Sequence, residues 1–261
     1  MSDNPGAAGQ TPIPPNLAIF TDFDGTLVEL AETPDGIVVP DELAGSLQHV
    51  RALLDGAFAV ISGRSVSDLD RYLPEGIAIA GAHGAERRRA DGSIDIAVAA
   101  PEAAQAIALR LQPLVKDHPD LILEPKNGAV ALHYRRAPEL EESCLHAMAD
   151  AIAEAPGYNM LEGKMVIEAR PPGTSKGNAI RAFMNEAPFK GRIPVFFGDD
   201  TTDEDGFLVA QELGGVGVKI GEGDSVAHVR TPDPTTARAI ILHLADRAAN
   251  SPLAANETGG I

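Results

Sequence analysis

The chain contains no tryptophan and a single cysteine, Cys144, among its 261 residues. One cysteine excludes an intramolecular disulfide. Its setting, EESCLHAMADAI, reads as a helix in which a small apolar thiol packs. No apolar run is long enough to span a bilayer, and residues 1–16 lack the basic start and apolar centre of a secretory signal; the expected compartment is the cytoplasm. Basic side chains are also scarce: 21 Lys and Arg face 38 Asp and Glu, a formal charge of −17. That balance argues against nucleic acid or an anionic membrane as the main partner. A small molecule is the expected partner, any anionic substrate needing local cations, and the chain is expected to be a monomer or small homo-oligomer.

Short β-branched runs are present, and they alternate with helical patterns as in an α/β sheet with crossover helices. LAIFTDFD, FAVISG, GIAIAGAHG, IPVFFGDD and GVGVKIG read as strands. DELAGSLQHVRALLDG, SVSDLDRYL, KGNAIRAFMNEA, the stretch 203–213 and TTARAIILHLADRAA read as helices. Between about residues 101 and 170 the rhythm changes to a helix followed by two strands, twice over, with hairpin tips LEPK and LEGK echoing each other. The expected architecture is therefore a Rossmann-like parallel-sheet core, residues 16–86 and 171–248, with an inserted α+β cap of two α-β-β units, residues 87–170. Residues 1–16 and 249–261 read as disordered tails.

In FTDFDGTL, residues 20–27, Asp22 and Asp24 stand two apart at the end of an apolar strand, so they share a face, and Gly25 lets the chain turn away. GDDTTDED, residues 198–205, repeats the context with Asp199, Asp200 and Asp203. Open α/β sheets bind ligands at the carboxyl ends of their strands, and five carboxylates at one edge cannot remain unmatched. All-oxygen donors without a His or Cys cluster favour Mg²⁺. Ser62 and the N–H of Gly63, and Lys176 at a helix start, suit phosphate oxygens. Together these groups describe phosphoryl transfer through an aspartyl phosphate.

DFDGT at 22–26, SGR at 62–64, Lys176-Gly177 and GDDTTDE at 198–204 resemble the four ordered motifs of the haloacid dehalogenase superfamily, and the insertion resembles the large cap of its sugar-phosphatase branch. Within that branch HGAE at 83–86, the EPK hairpin followed by HYR, and GDDTTDE resemble the trehalose-6-phosphate phosphatases. The resemblance implies hydrolysis of trehalose 6-phosphate as the last step of trehalose formation. It implies Asp22 as nucleophile, Asp24 as acid and then base, and Ser62, Gly63 and Lys176 on the phosphoryl oxygens. Mg²⁺ is implied on Asp22, the Asp24 carbonyl and Asp199, with Asp200 or Asp203 bonding the metal's waters or orienting Lys176. The rival readings are a sucrose-phosphate phosphatase, a sugar phosphomutase, or a binding module with a relic site.

Substrate choice is expected in the cap, because the core sees only phosphate. On the expected strands Glu124 and Lys126, His133 and Arg135, and Glu168 and Arg170 fall on shared faces. Lys164 at the second hairpin tip joins them, and Arg64, His83 and Glu86 complete the expected sugar site. Arg87 to Arg89 read as a solvated hinge segment, with the crossing points between core and cap near 86–89 and 171–173.

Overall fold

The computed structural model describes residues 14–31, 36–96, 101–126, 128–163 and 165–251. In chain order the elements are β1 (Leu17–Thr21), α1 (Leu43–Leu53), β2 (Phe58–Ile61), α2 (Val66–Leu69), β3 (Ala78–Gly81), β4 (Glu86–Arg88), β5 (Ile94–Ile96), α3 (Pro101–Asp117), β6 (Ile122–Lys126) and β7 (Ala129–His133). They continue with α4 (Glu141–Ala153), β8 (Asn159–Gly163), β9 (Val166–Arg170), α5 (Lys176–Met184), β10 (Ile193–Gly198), α6 (Glu204–Glu212), β11 (Val216–Ile220), β12 (Val229–Thr231) and α7 (Pro234–Ala249).

One sheet runs in the order β12-β11-β10-β1-β2-β3-β4-β5. It is parallel from β12 to β3 and antiparallel beyond. Every residue of β1 is buried, as are all of β2 and β3. That is why these strands read as continuous apolar runs rather than as alternating ones. Helices pack in pairs, α1 with α7 and α5 with α6. Phe20 on β1, Phe183 on α5 and Phe189 form an aromatic cluster, with ring centroids 5.0 to 6.0 Å apart. The chain moves from β1 outward through β2 and β3, then returns to β10 on β1's other side. The carboxyl ends of β1 and β10 thus flank the point where strand order reverses, the usual ligand position in such sheets.

The second sheet is antiparallel, β6-β7-β9-β8, and α3 and α4 pack on it and on each other. Its own core includes Ile107, Leu111, Leu132, Met148 and Cys144. The thiol is buried there, as its helix setting indicates.

The boundary of the insertion differs from the expectation. Residues 86–96 do not belong to the second sheet: β4 and β5 extend the first one, and the α-β-β repeat begins at α3. Of the arginines there, Arg87 and Arg88 are largely buried rather than solvated, and Arg89, 39% exposed, is ion-paired with Asp95 and Glu186. Arg87 pairs with Asp95 (3.0 Å) and Glu186 (2.5 Å) and lies 5.2 Å from the Phe183 ring centre, and Arg88 pairs with Asp70 (2.5 Å). Ion pairs to carboxylates of the first sheet's unit fix this edge to it. The segment SVSDLDRYL gives only the four residues of α2. At the carboxyl end α7 reaches Ala249 and Ser251 is buried, so 249–251 are not a tail. Residues 1–13 and 252–261 lie outside the described residues.

Because Phe20 is fully buried beside two further aromatic rings, Phe20→Ala is expected to lower unfolding free energy in urea by about 3–5 kcal/mol. A loss under about 1 kcal/mol would show that the cluster collapses around the gap.

Candidate active site

Each chemical group sits where a strand stops or a helix starts. Asp22 follows β1, and its N–H donates to the Phe197 carbonyl of β10 at 2.8 Å, tying the two strand ends together. Gly25 turns the chain at φ +75°, and a Cβ there would lie 2.2 Å from Asp199 Oδ2. Glycine is therefore required twice over, by conformation and by the approach of the second acidic loop. Ser62 directly follows β2, buried, and its N–H donates to the Ala80 carbonyl. Lys176 is the first residue of α5, whose start is capped by Ser175 Oγ accepting the Asn178 N–H at 3.1 Å.

Lys176 is 1% exposed. Its Nζ stands 3.0 Å from Asp22 Oδ1 and donates to Asp203 Oδ1 at 2.6 Å. The other oxygen of Asp203 accepts the N–H groups of Asp199 and Asp200, each at 3.0 Å. Asp22, Asp199 and Asp203 bring carboxylate oxygens within 4.8 Å of one another. Burial, with the neighbouring carboxylates adding to it, holds the Asp22 carboxyl well above its ordinary range against the pull of Lys176. Asp199 is pushed up to about 7 for the same first reason, then by Asp203. One lysine therefore does not neutralise the cluster. The carboxylates of Asp22 and Asp199, close together with no sulfur or imidazole donor beside them, fit a hard divalent cation.

The five acidic residues are not equivalent. Asp22, Asp24, Asp199 and Asp200 line the cleft and Asp203 does not. Both Asp203 oxygens are engaged by Lys176 and the backbone of its own loop. Asp200 Oδ1 accepts the Thr201 N–H at 2.7 Å, capping the short turn Thr201–Asp203. The sequence reading missed Lys219 on β11, which is buried and donates to the carbonyls of Asp199 and Ile220. The signal was available, since a lysine inside the apolar run VGVKI must bury its charge beside something.

The second sheet closes the cleft, about 860 Å³ in volume. Glu124, Ala131 and Glu168 are register neighbours across β6, β7 and β9, and Glu124, Lys126, His133, Arg135, Glu168 and Arg170 all line the space. Glu168 accepts from Lys126 Nζ at 2.6 Å and Arg170 Nε at 2.8 Å. His133 Nε2 and Glu124 Oε2 are 2.8 Å apart. Lys164 lies outside the described residues. Glu86 and Arg64 also line the cleft, each with a partner in the first sheet's unit. Glu86 Oε2 accepts the Val66 N–H at 2.8 Å, in the interior, and Arg64 faces Asp24 and Asp68.

His83 crosses the gap between the sheets. Ala82, His83 and Gly84 all have positive φ, a strained corner of the kind retained at functional positions. It brings His83 Nε2 to 3.0 Å from Glu168 Oε2 and so close to Gly63 that a Cβ there would lie 2.6 Å away. Burial pushes the imidazole down to about 3, over the opposing pull of Glu168. Burial opposes the Glu168 charge too, yet His83, Lys126 and Arg170 hold that carboxyl well below its usual range. A neutral His83 thus donates Nε2–H to an ionised Glu168.

A parallel sheet with acidic strand ends, a buried lysine at a helix start and an inserted α+β unit form an arrangement suited to a phosphoryl-transfer enzyme. Solved structures share this fold over nearly the whole chain. A trehalose-6-phosphate phosphatase related protein matches with TM-score 0.70 and 27% identity, covering 92% of this chain and 99% of that one. The C-terminal domain of the C. albicans trehalose-6-phosphate phosphatase matches in fold, TM-score 0.78 at 21% identity, over 89% and 93% of the two chains. The trehalose-phosphatase family model matches residues 20–236, and the chain belongs to that family. It is 47% identical over 215 residues to the trehalose-6-phosphate phosphatase of Escherichia coli (strain K12), covering 82% of this chain and 80% of that protein. It is 40% identical over 208 residues, 79% and 78% of the two chains, to a probable trehalose-phosphate phosphatase of Sinorhizobium fredii.

Two outcomes test this geometry. Gly25→Ala, strained in φ and driven into Asp199, is expected to lower phosphatase kcat by at least about 100-fold; near-normal turnover would show that the loops separate freely. The unfolded chain binds a proton at His83 below its ordinary 6.5, whereas the folded chain resists until about 3. The contribution is thus complete above 6.5 and falls as pH drops toward 3. Between pH 7 and 5 the native chain should lose about 2 kcal/mol more than His83→Gln in urea unfolding. Parallel losses would mean that native His83 is charged.

Proposed function

We propose that this chain hydrolyses trehalose 6-phosphate to trehalose and inorganic phosphate, through a phosphoaspartate on Asp22. The observation that carries the reading is the joining of Asp22, Lys176 and Asp199 at one strand edge with the polar row Glu124, Lys126 and Glu168 facing the same cleft. The 47% identity to a trehalose-6-phosphate phosphatase supports the choice of sugar.

An oxygen of Asp22 attacks phosphorus and the bond to the sugar oxygen breaks. Asp24 gives that oxygen a proton, then removes one from the water that cleaves the phosphoaspartate. Lys176 offsets charge on the phosphoryl oxygens, which the Ser62 hydroxyl and Gly63 N–H orient. Asp22, Asp199 and the main-chain carbonyl of Asp24 would hold Mg²⁺, which when bound supplies positive charge to the phosphoryl group and the acidic cluster. Asp203 holds Lys176 in register and Asp200 caps its own turn. Glu124, Lys126, His133 and Glu168 read the sugar hydroxyls, with Arg135 and Arg170 at the edge of that row. A phosphorylated disaccharide is too polar to cross a bilayer unaided, which supports a cytoplasmic site of action. Among the described residues no helix is long and apolar enough to cross a membrane.

The test is phosphate release over a panel of sugar phosphates. Trehalose 6-phosphate should be preferred over sucrose 6-phosphate and glucose 6-phosphate, with activity abolished by EDTA, restored by Mg²⁺, and lost in Asp22→Asn. Equal rates across the panel would overturn the substrate assignment. Isomerised sugar phosphate without phosphate release would replace the hydrolase by a mutase.

A further inference from the structure

Arg64 lines the cleft with its guanidinium already engaged. Its side chain is 8% exposed. Nε donates to Asp24 Oδ2 at 2.7 Å and Nη2 to Asp24 Oδ1 at 2.8 Å, a two-point fork, while Nη1 donates to Asp68 Oδ2 at 2.8 Å. The guanidinium carbon lies 5.7 Å from the Phe23 ring centre and 5.6 Å from that of Tyr72, and the two rings stand 5.8 Å apart. The backbone is held as well, since the Arg64 carbonyl accepts the Ala82 N–H at 2.7 Å. Burial opposes the charge, but Asp24 and Asp68 raise the guanidinium above its ordinary value, so it is a permanent cation. Arg64 is thus fixed by backbone, by a second carboxylate and by two rings before it meets Asp24.

A two-point fork fixes more than distance. It sets the plane and rotation of the carboxylate, which a lysine's single ammonium does not. Each carboxylate oxygen keeps a further acceptor position, and Asp24, 30% exposed in its side chain, lines the cleft. We propose that Arg64 is a positioning residue for Asp24, aiming the lone pair that carries the proton at the leaving sugar oxygen and later at water. This rests on the reading of Asp24 as the acid and base.

The consequence separates substrates by leaving group. When Asp22 forms its bond to phosphorus, a sugar oxygen must depart with a proton from Asp24. A 4-nitrophenyl group instead takes the P–O electron pair and leaves as the phenolate, needing no proton. Both substrates then share the second step, in which water bonds to phosphorus, the bond to Asp22 breaks and Asp24 receives the water's proton.

The experiment compares wild type, Arg64→Lys, Arg64→Gln and Asp24→Asn in the Mg²⁺-loaded enzyme, each shown folded by its melting transition, with trehalose 6-phosphate and 4-nitrophenyl phosphate. For both Arg64 variants, kcat on the sugar phosphate should fall roughly 100-fold, with KM changed less than about threefold. Rapid mixing with the aryl phosphate should give a nitrophenolate burst of about one per site at near wild-type rate, followed by slow steady turnover. A burst slowed as much as sugar turnover, or a raised KM at constant kcat, would overturn the proposal, the latter pointing to sugar contact instead. Asp24→Asn separates the two readings. If it shows the burst pattern and the Arg64 variants do not, only the positioning role fails. If it slows the burst as much as sugar turnover, the acid–base reading itself fails.

Discussion

The buried ion pairs of Lys176 are the constraint on which the rest of the site depends. A cation at the first position of a helix opposes the helix dipole, and Lys176 is withdrawn from water as well. It is tolerable only because Asp22 and Asp203 lie against it, at 3.0 and 2.6 Å. Those two carboxylates are tolerable only because it is there. Asp203 in turn gathers the N–H groups of Asp199 and Asp200, so a single ammonium fixes the ends of β1 and β10 relative to each other. Lys219 reinforces the arrangement by holding the Asp199 carbonyl from the neighbouring strand.

Around this point the molecule divides its work. The parallel sheet brings its acidic strand ends together at the strand reversal, and the second sheet lines the same cleft with the polar row Glu124, Lys126 and Glu168. The two halves meet at Glu168, which takes Lys126 and Arg170 from its own sheet and His83 from the core. A change at Glu168 therefore reaches the surroundings of Gly63 through one imidazole.

Much of this was legible in the sequence where local pattern carried it. The apolar runs ending in Asp22 and Asp199 could only be strand ends, and the repeated helix-strand-strand order appears as the second sheet. What stayed hidden depended on partners distant in sequence. The strands β4 and β5 are three residues each, β4 has no apolar residue, and their place on the first sheet is set by pairing with β3 and by ion pairs such as Arg87 with Glu186. Glu86 and Arg64 were legible as polar groups near the motifs, but not which partner each would choose, because that is set by the folded geometry. The segment β12, three residues whose one apolar member, Val229, is exposed, carries no buried apolar pattern.

The central claim is that Lys176 and its carboxylates stand or fall together, and a double-mutant cycle of Lys176→Met with Asp203→Asn in urea unfolding tests it directly. Removing the lysine alone leaves buried carboxylates unmatched and should cost about 3–5 kcal/mol. Removing the Asp203 charge as well should return a large part of that, giving a coupling of at least about 1.5 kcal/mol. Effects that add within about 0.5 kcal/mol would contradict the account and make the lysine a passive occupant of the site.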